Sequence, residues 1–227
     1  MSTYLELVNL LKDESGSGTA DLTTAISQTG EGRRLANWIN AAWMDIQGKH
    51  QDWGWKRTSL AGFATINGQA TYTPAEAGAT NFGMWARDSF RNYLTATGTD
   101  AEVEMEYIDY EAWRNHYQLG SNRTSYSQPY DITITPAKSL GLGPVPLVGY
   151  TVTGDYFTCP TEMTADADIP SLPVHYHMAI VYRALMFYAA NEAASEVYSH
   201  GKTEFNRLMT RIENDYLPEV TLARPLC

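Results

Sequence analysis

The chain has 227 residues, 44% of them hydrophobic, enough to bury the core of one large domain or two small ones. A formal net charge of −10 excludes a dominant phosphate-binding surface, because affinity for nucleic acid rests on Lys and Arg. Two cysteines, Cys159 and Cys227, exclude a disulfide framework, and neither a membrane-length apolar run nor an apolar segment after the polar start Ser2-Thr3 is present, so a protein of a reducing cytosol is expected.

Ser2 or Thr3 caps a first short helix in which Tyr4, Leu7, Val8 and Leu11 share one face. Residues 13–30 are rich in Ser, Thr and Gly and read as a loop. A second helix is predicted over 31–51, where Leu35, Trp38, Ile39, Ala42, Trp43 and Ile46 make a continuous apolar stripe. Trp53 and Trp55 follow at the change of pattern, where they can seal a junction between domains.

From there the period shortens to that of strands. Thr65 to Thr71 reads as a hairpin around Asn67-Gly68, a pair that tolerates the positive φ of a type I′ turn. Strands are predicted over 90–94, 102–107, 132–135, 139–142 and 150–157, with a turn at Pro136-Ala137-Lys138. Asp109 can cap a short helix carrying Trp113 and Tyr117. This run of short strands suggests a small barrel or sandwich. The period lengthens again after Pro170 and Pro173. A helix over 172–190 should carry Ala179, Tyr182, Arg183, Met186 and Ala190 on one side, and one over 194–216 should bury Val197, Gly201, Phe205, Leu208, Met209 and Ile212. Pro218 ends it.

The terminal helices can bury their stripes only against each other. The expected fold is α+β: a helical bundle from residues 1–56 and 171–217, an inserted antiparallel β-barrel or sandwich over 57–170, and an extended tail over 218–227. The tail is unusually apolar, and Val220, Leu222, Arg224, Pro225 and Leu226 read as a docking segment.

Several segments together resemble the head-to-tail adaptor proteins of tailed bacteriophages. They are Leu7 to Gly16 (LVNLLKDESG), Thr29 to Asn40 (TGEGRRLANWIN), Ala42 to Gln47 (AWMDIQ), Asp52 to Lys56 (DWGWK), Leu142 to Pro146 (LGPVP) and Val181 to Ala184 (VYRA). The resemblance spans nearly the whole chain and its motifs are structural. It implies a dodecameric ring beneath the portal, with a helical domain forming the DNA channel and a β-domain outside or below. It also implies a place in the virion neck after assembly in the host cytoplasm. The implied partners are the portal protein, tail or nozzle proteins and other copies of the chain. DNA would pass without sequence-specific binding, and neither a membrane, a cofactor nor a catalytic residue is implied. Other tail connectors, such as head-completion or tail-terminator proteins, share the helix–strand–helix plan.

Candidate chemistry is sparse. Glu102, Glu104 and Glu106 alternate along one predicted strand, so they share a face that is either solvated or lines a channel or interface. A virion-borne peptidoglycan hydrolase using two carboxylates, such as Glu104 and Glu111, is the alternative from another class. His175 and His177 are half of a metal pattern, but positions two apart on a helix do not face each other. The basic pairs Arg33-Arg34 and Lys56-Arg57 are too sparse for a nucleic-acid footprint.

Overall fold

The computed structural model describes residues 2–18 and 20–217. Its helices are α1 (Tyr4–Ser15), α2 (Gly30–Lys49), α3 (Tyr110–Tyr117), α4 (Met178–Asn191) and α5 (Ser195–Tyr216). The strands lie between α2 and α4. They are β1 (Arg57–Ser59), β2 (Phe63–Ala64), β3 (Thr71–Tyr72), β4 (Phe82–Trp85), β5 (Arg91–Leu94), β6 (Val103–Glu104) and β7 (Glu106–Tyr107). After α3 follow β8 (Tyr126–Ser127), β9 (Asp131–Ile134), β10 (Leu140–Gly143), β11 (Val145–Pro146), β12 (Tyr150–Thr153) and β13 (Asp155–Thr158). The fold is mixed α+β. It divides into a helical unit, up to Lys56 and from Pro160 onward, and a β unit over Arg57–Cys159.

In the helical unit the local signals are strong. Thr3 and Glu6 form a capping box: Thr3 Oγ1 accepts from the Glu6 amide at 3.3 Å, and the Glu6 carboxylate accepts from the Thr3 amide at 3.0 Å. Gly16, with a φ of 65°, closes α1 in the left-handed conformation. Tyr4, Leu7, Val8 and Leu11 are buried together with the α2 stripe. α4 packs against α1, α2 and α5. It therefore buries Ala179, Ile180, Val181, Ala184, Leu185, Met186 and Ala189, far more than one stripe. Tyr182 and Arg183 are only half-buried and Ala190 is exposed, so the side they share is only partly buried. Its start is also later than predicted, because residues 174–176 form a separate 3-10 turn before Met178.

Residues 160–170, read from sequence as the end of the inserted domain, are bound to the helical unit. Asn40 and Gln47, two turns apart on α2, each exchange a pair of hydrogen bonds with this segment. Asn40 pairs with the Met163 backbone at 2.9 and 3.0 Å, and Gln47 with the Thr161 backbone at 2.9 and 3.1 Å. The Tyr4 amide adds a bond to the Asp168 carbonyl at 2.8 Å. Side-chain amides that satisfy a passing backbone leave no periodic trace in sequence.

The β unit is sandwich-like, and no sheet among the described residues closes into a barrel. Its sheets have the orders β1-β13-β4, β3-β10-β9-β7, β11-β8 and β2-β12-β5-β6. Most pairs are antiparallel, but β7–β9 and β8–β11 are parallel. Trp85, Phe90, Ile132, Leu140, Leu142 and Val152 centre its core. Two predicted elements change. Asn67-Gly68 does form a turn, with the Gln69 amide 3.0 Å from the Ile66 carbonyl. Only Gly68 has positive φ, however, as in a type II turn, and the flanking β2 and β3 enter different sheets. The strand predicted over 150–157 breaks at Gly154 into β12 and β13, again in different sheets.

Candidate functional site

Six residues of the predicted helical core, Leu35, Ile39, Trp43, Ile46, Leu208 and Ile212, are buried. Trp38 and Phe205 are half-buried and pack on the rim of that core. Trp38 meets Tyr188 edge-on at 5.9 Å. Trp53 and Trp55 stack at 4.2 Å inside the helical unit, and Trp55 meets Tyr216 at 5.3 Å. They anchor the end of α5 to the chain that follows α2.

Phe205 lies beside a charged pair. Arg183 Nε donates to Asp45 Oδ2 at 2.6 Å, while its guanidinium sits 4.7 Å from the Phe187 ring and 5.7 Å from the Phe205 ring. Such a partly exposed pair contributes at most about 1 kcal/mol, so it orients the surface more than it holds the fold. Around it runs a groove between α2, α4 and α5.

The three glutamates do not share one strand. Glu104 is on β6, which pairs with β5, whereas Glu106 is on β7, which pairs with β9. Met105 is buried between them, and Glu102 precedes the strand, its carboxylate 3.9 Å from Arg91. Val103, between Glu102 and Glu104, is 40% exposed. The result is an acidic edge spread over two sheets. Glu111, on the first turn of α3, faces Arg114 at 3.8 Å.

The tail residues Val220, Leu222, Arg224, Pro225 and Leu226 lie outside the described residues. His177 is buried with Nε2 at 2.8 Å from the Leu172 carbonyl, whereas His175 is exposed. Burial holds the His177 imidazole below its ordinary pKa, an environment that disfavours the charged ring. Among the described residues no group of three or more His, Cys, Asp or Glu side chains could hold a metal ion. Nor is any helix among them long and apolar enough to cross a membrane. The Tyr117 hydroxyl donates to Asp131 at 2.5 Å, and burial first and that carboxylate second push its pKa up. This contact ties α3 to β9.

One surface escaped sequence reasoning. The loops after β2 and β11 are joined by bonds from the Gly68 amide to the Pro146 carbonyl, 3.1 Å, and from the Thr65 hydroxyl to the Val148 carbonyl, 3.3 Å. They present Ile66, Leu147 and Val148 on adjoining loops of the β unit, with exposures of 60%, 49% and 43%. No charged residue occurs in 58–75 or 139–154. The signal was available as Leu-Val between a proline and a glycine, where a loop should be polar. Uncharged apolar surfaces of this kind suit contact with another protein.

Three surfaces stand out among the described residues: a helical groove, an acidic edge and an apolar loop surface. No curated protein matches the chain significantly. A family model described as SU10 adaptor protein matches residues 2–224, nearly the full length. The match covers the helical unit and the β unit alike and accords with the resemblance to phage head-to-tail adaptors. The chain belongs to the SU10 adaptor protein family.

Proposed function

We propose that this protein is the subunit of a ring, built from copies of the same chain, that joins the portal to the tail of a phage virion and surrounds the path of the DNA. The observation that carries this reading is the family match over residues 2–224. In this reading the helical unit forms the wall of the channel. A twelvefold ring is the expected stoichiometry. The protein works by assembly and carries out no reaction.

Each surface has a place in this reading. The acidic edge of Glu102, Glu104 and Glu106 faces the lumen or a neighbouring copy, and in the lumen it repels DNA phosphates. The uncharged loop surface at Ile66, Leu147 and Val148 contacts a tail or nozzle protein. Val220, Leu222, Arg224, Pro225 and Leu226 dock on the portal or on an adjacent copy. The test is to mix the purified chain with portal rings and image the product by electron microscopy. A ring of copies beneath the portal is expected, each contact burying more than about 1,000 Å². A chain that stays monomeric and leaves the portal bare would overturn the proposal.

A further inference from the structure

The helical unit carries a groove that its described residues leave open. The groove has a volume of about 470 Å³, and its walls include Met44, Asp45, Gly48, Lys49, Arg183 and Phe205. Met44 and Phe205 are half-buried and give it an apolar floor. Asp45 and Lys49 stand at its rim with side chains 49% and 44% exposed.

Gly48 is the unusual residue. It lies near the end of α2, where glycine disfavours the helix relative to alanine. A Cβ there would meet nothing within 4 Å, and its φ is not in the left-handed region. Neither its conformation nor a described neighbour requires a glycine. A glycine so placed suits the close approach of another stretch of backbone.

The chain itself supplies such a stretch close by. Residues 218–227 follow the last described position. Lys49 Nζ lies 2.8 Å from Glu213 Oε1, so the groove borders the last turns of α5. From Phe205 to Glu213 is eight residues of the same helix, about 12 Å along its axis. Ten extended residues span up to about 33 Å, enough to turn after Leu217 and run back over the groove. The chemistry matches too. Val220, Leu222 and Leu226 complement Met44 and Phe205, and the partly exposed Lys49 and Asp45, each already in an ion pair, can take a second partner in Glu219 and Arg224.

We propose that residues 218–226 dock in this groove of their own chain while the subunit is free, shelter their apolar side chains there, and leave it on assembly. The inference rests on the helical unit and on chain reach, and only the release step draws on the ring reading above.

The test compares the full chain with a chain ending at Leu217, both carrying Met44→Cys with Cys159→Ser, and the full chain also Cys227→Ser, so that Gly48 is left intact. Modification of the introduced thiol by a maleimide should be at least about fivefold slower in the full chain, at every protein concentration. Equal rates in the two chains would overturn the proposal. So would protection that appears only as concentration rises, because the segment would then come from another copy. Acetylation of the Lys49 amine, followed by mass spectrometry on chains without these substitutions, gives a second reading: slower in the full chain if the segment docks, equal if it does not. Neither measurement involves the portal, so failure here leaves the ring reading standing, and failure of the ring leaves this one standing.

Discussion

Trp43 shows how much of the helical unit rests on single side chains. Its indole is 2% exposed and lies among Leu35, Ile39 and Ile46 of the same stripe and residues of α4. Truncating a large buried aromatic leaves a cavity that a packed core relaxes into only in part. Trp43→Ala should therefore lower stability by about 3–5 kcal/mol, measured by thermal or denaturant unfolding. An unchanged melting curve would mean that this face of α2 does not carry the core. Trp38, five residues earlier, belongs to the same predicted stripe but packs edge-on to Tyr188 at the rim. A stripe read at helical spacing identifies the inward side. It does not say where the inward side ends, because that depends on the width of the partner helix.

At the scale of elements, α1 and α2 are legible because their signals are local: a capping box, a glycine stop and apolar residues at helical spacing. The β unit is less so. Its strands are two to four residues long, too short for a period to declare itself, and their sheet membership is decided by distant partners. Tyr150 to Phe157 reads as one strand but is divided by Gly154. A Cβ on Gly154 would lie 2.5 Å from Phe90 Cδ1, and Phe90 is itself buried, so the backbone there must pass close over the ring. Gly154→Ala should cost about 1–3 kcal/mol through overpacking, and pairing it with Phe90→Leu should recover part of the loss. Full stability of Gly154→Ala in denaturant titrations would contradict the close packing of the break. The same logic explains the surfaces. Glu102, Glu104 and Glu106 were read as one face, but the buried Met105 hands the chain from one sheet to another. The groove was not legible, since Arg183 and Asp45 are 138 residues apart and meet only when α4 packs on α2.

At the scale of the whole molecule, the net charge of −10 sets the terms of assembly. Copies of one acidic chain repel, and at 0.1 M salt the repulsion is screened only beyond about 10 Å, so it persists where copies touch. A ring of such chains benefits from contacts that are apolar and from a template that fixes the copies in place. The C-terminal segment fits that requirement, with Val220, Leu222, Pro225 and Leu226 and one charge of each sign, Glu219 and Arg224. It follows Pro218, which cannot continue α5, so its loss should leave the helical core intact. The core is closed by Leu208, Met209 and Ile212 and by Tyr216 against Trp55, all before the cut. A chain ending at Leu217 should therefore melt within a few degrees of the full chain, yet fail to attach to portal rings in a pull-down or by light scattering. Retention of full portal affinity by the truncated chain would remove the segment from the docking surface. The contact would then fall to the rim of the helical unit or to the uncharged loop surface of the β unit.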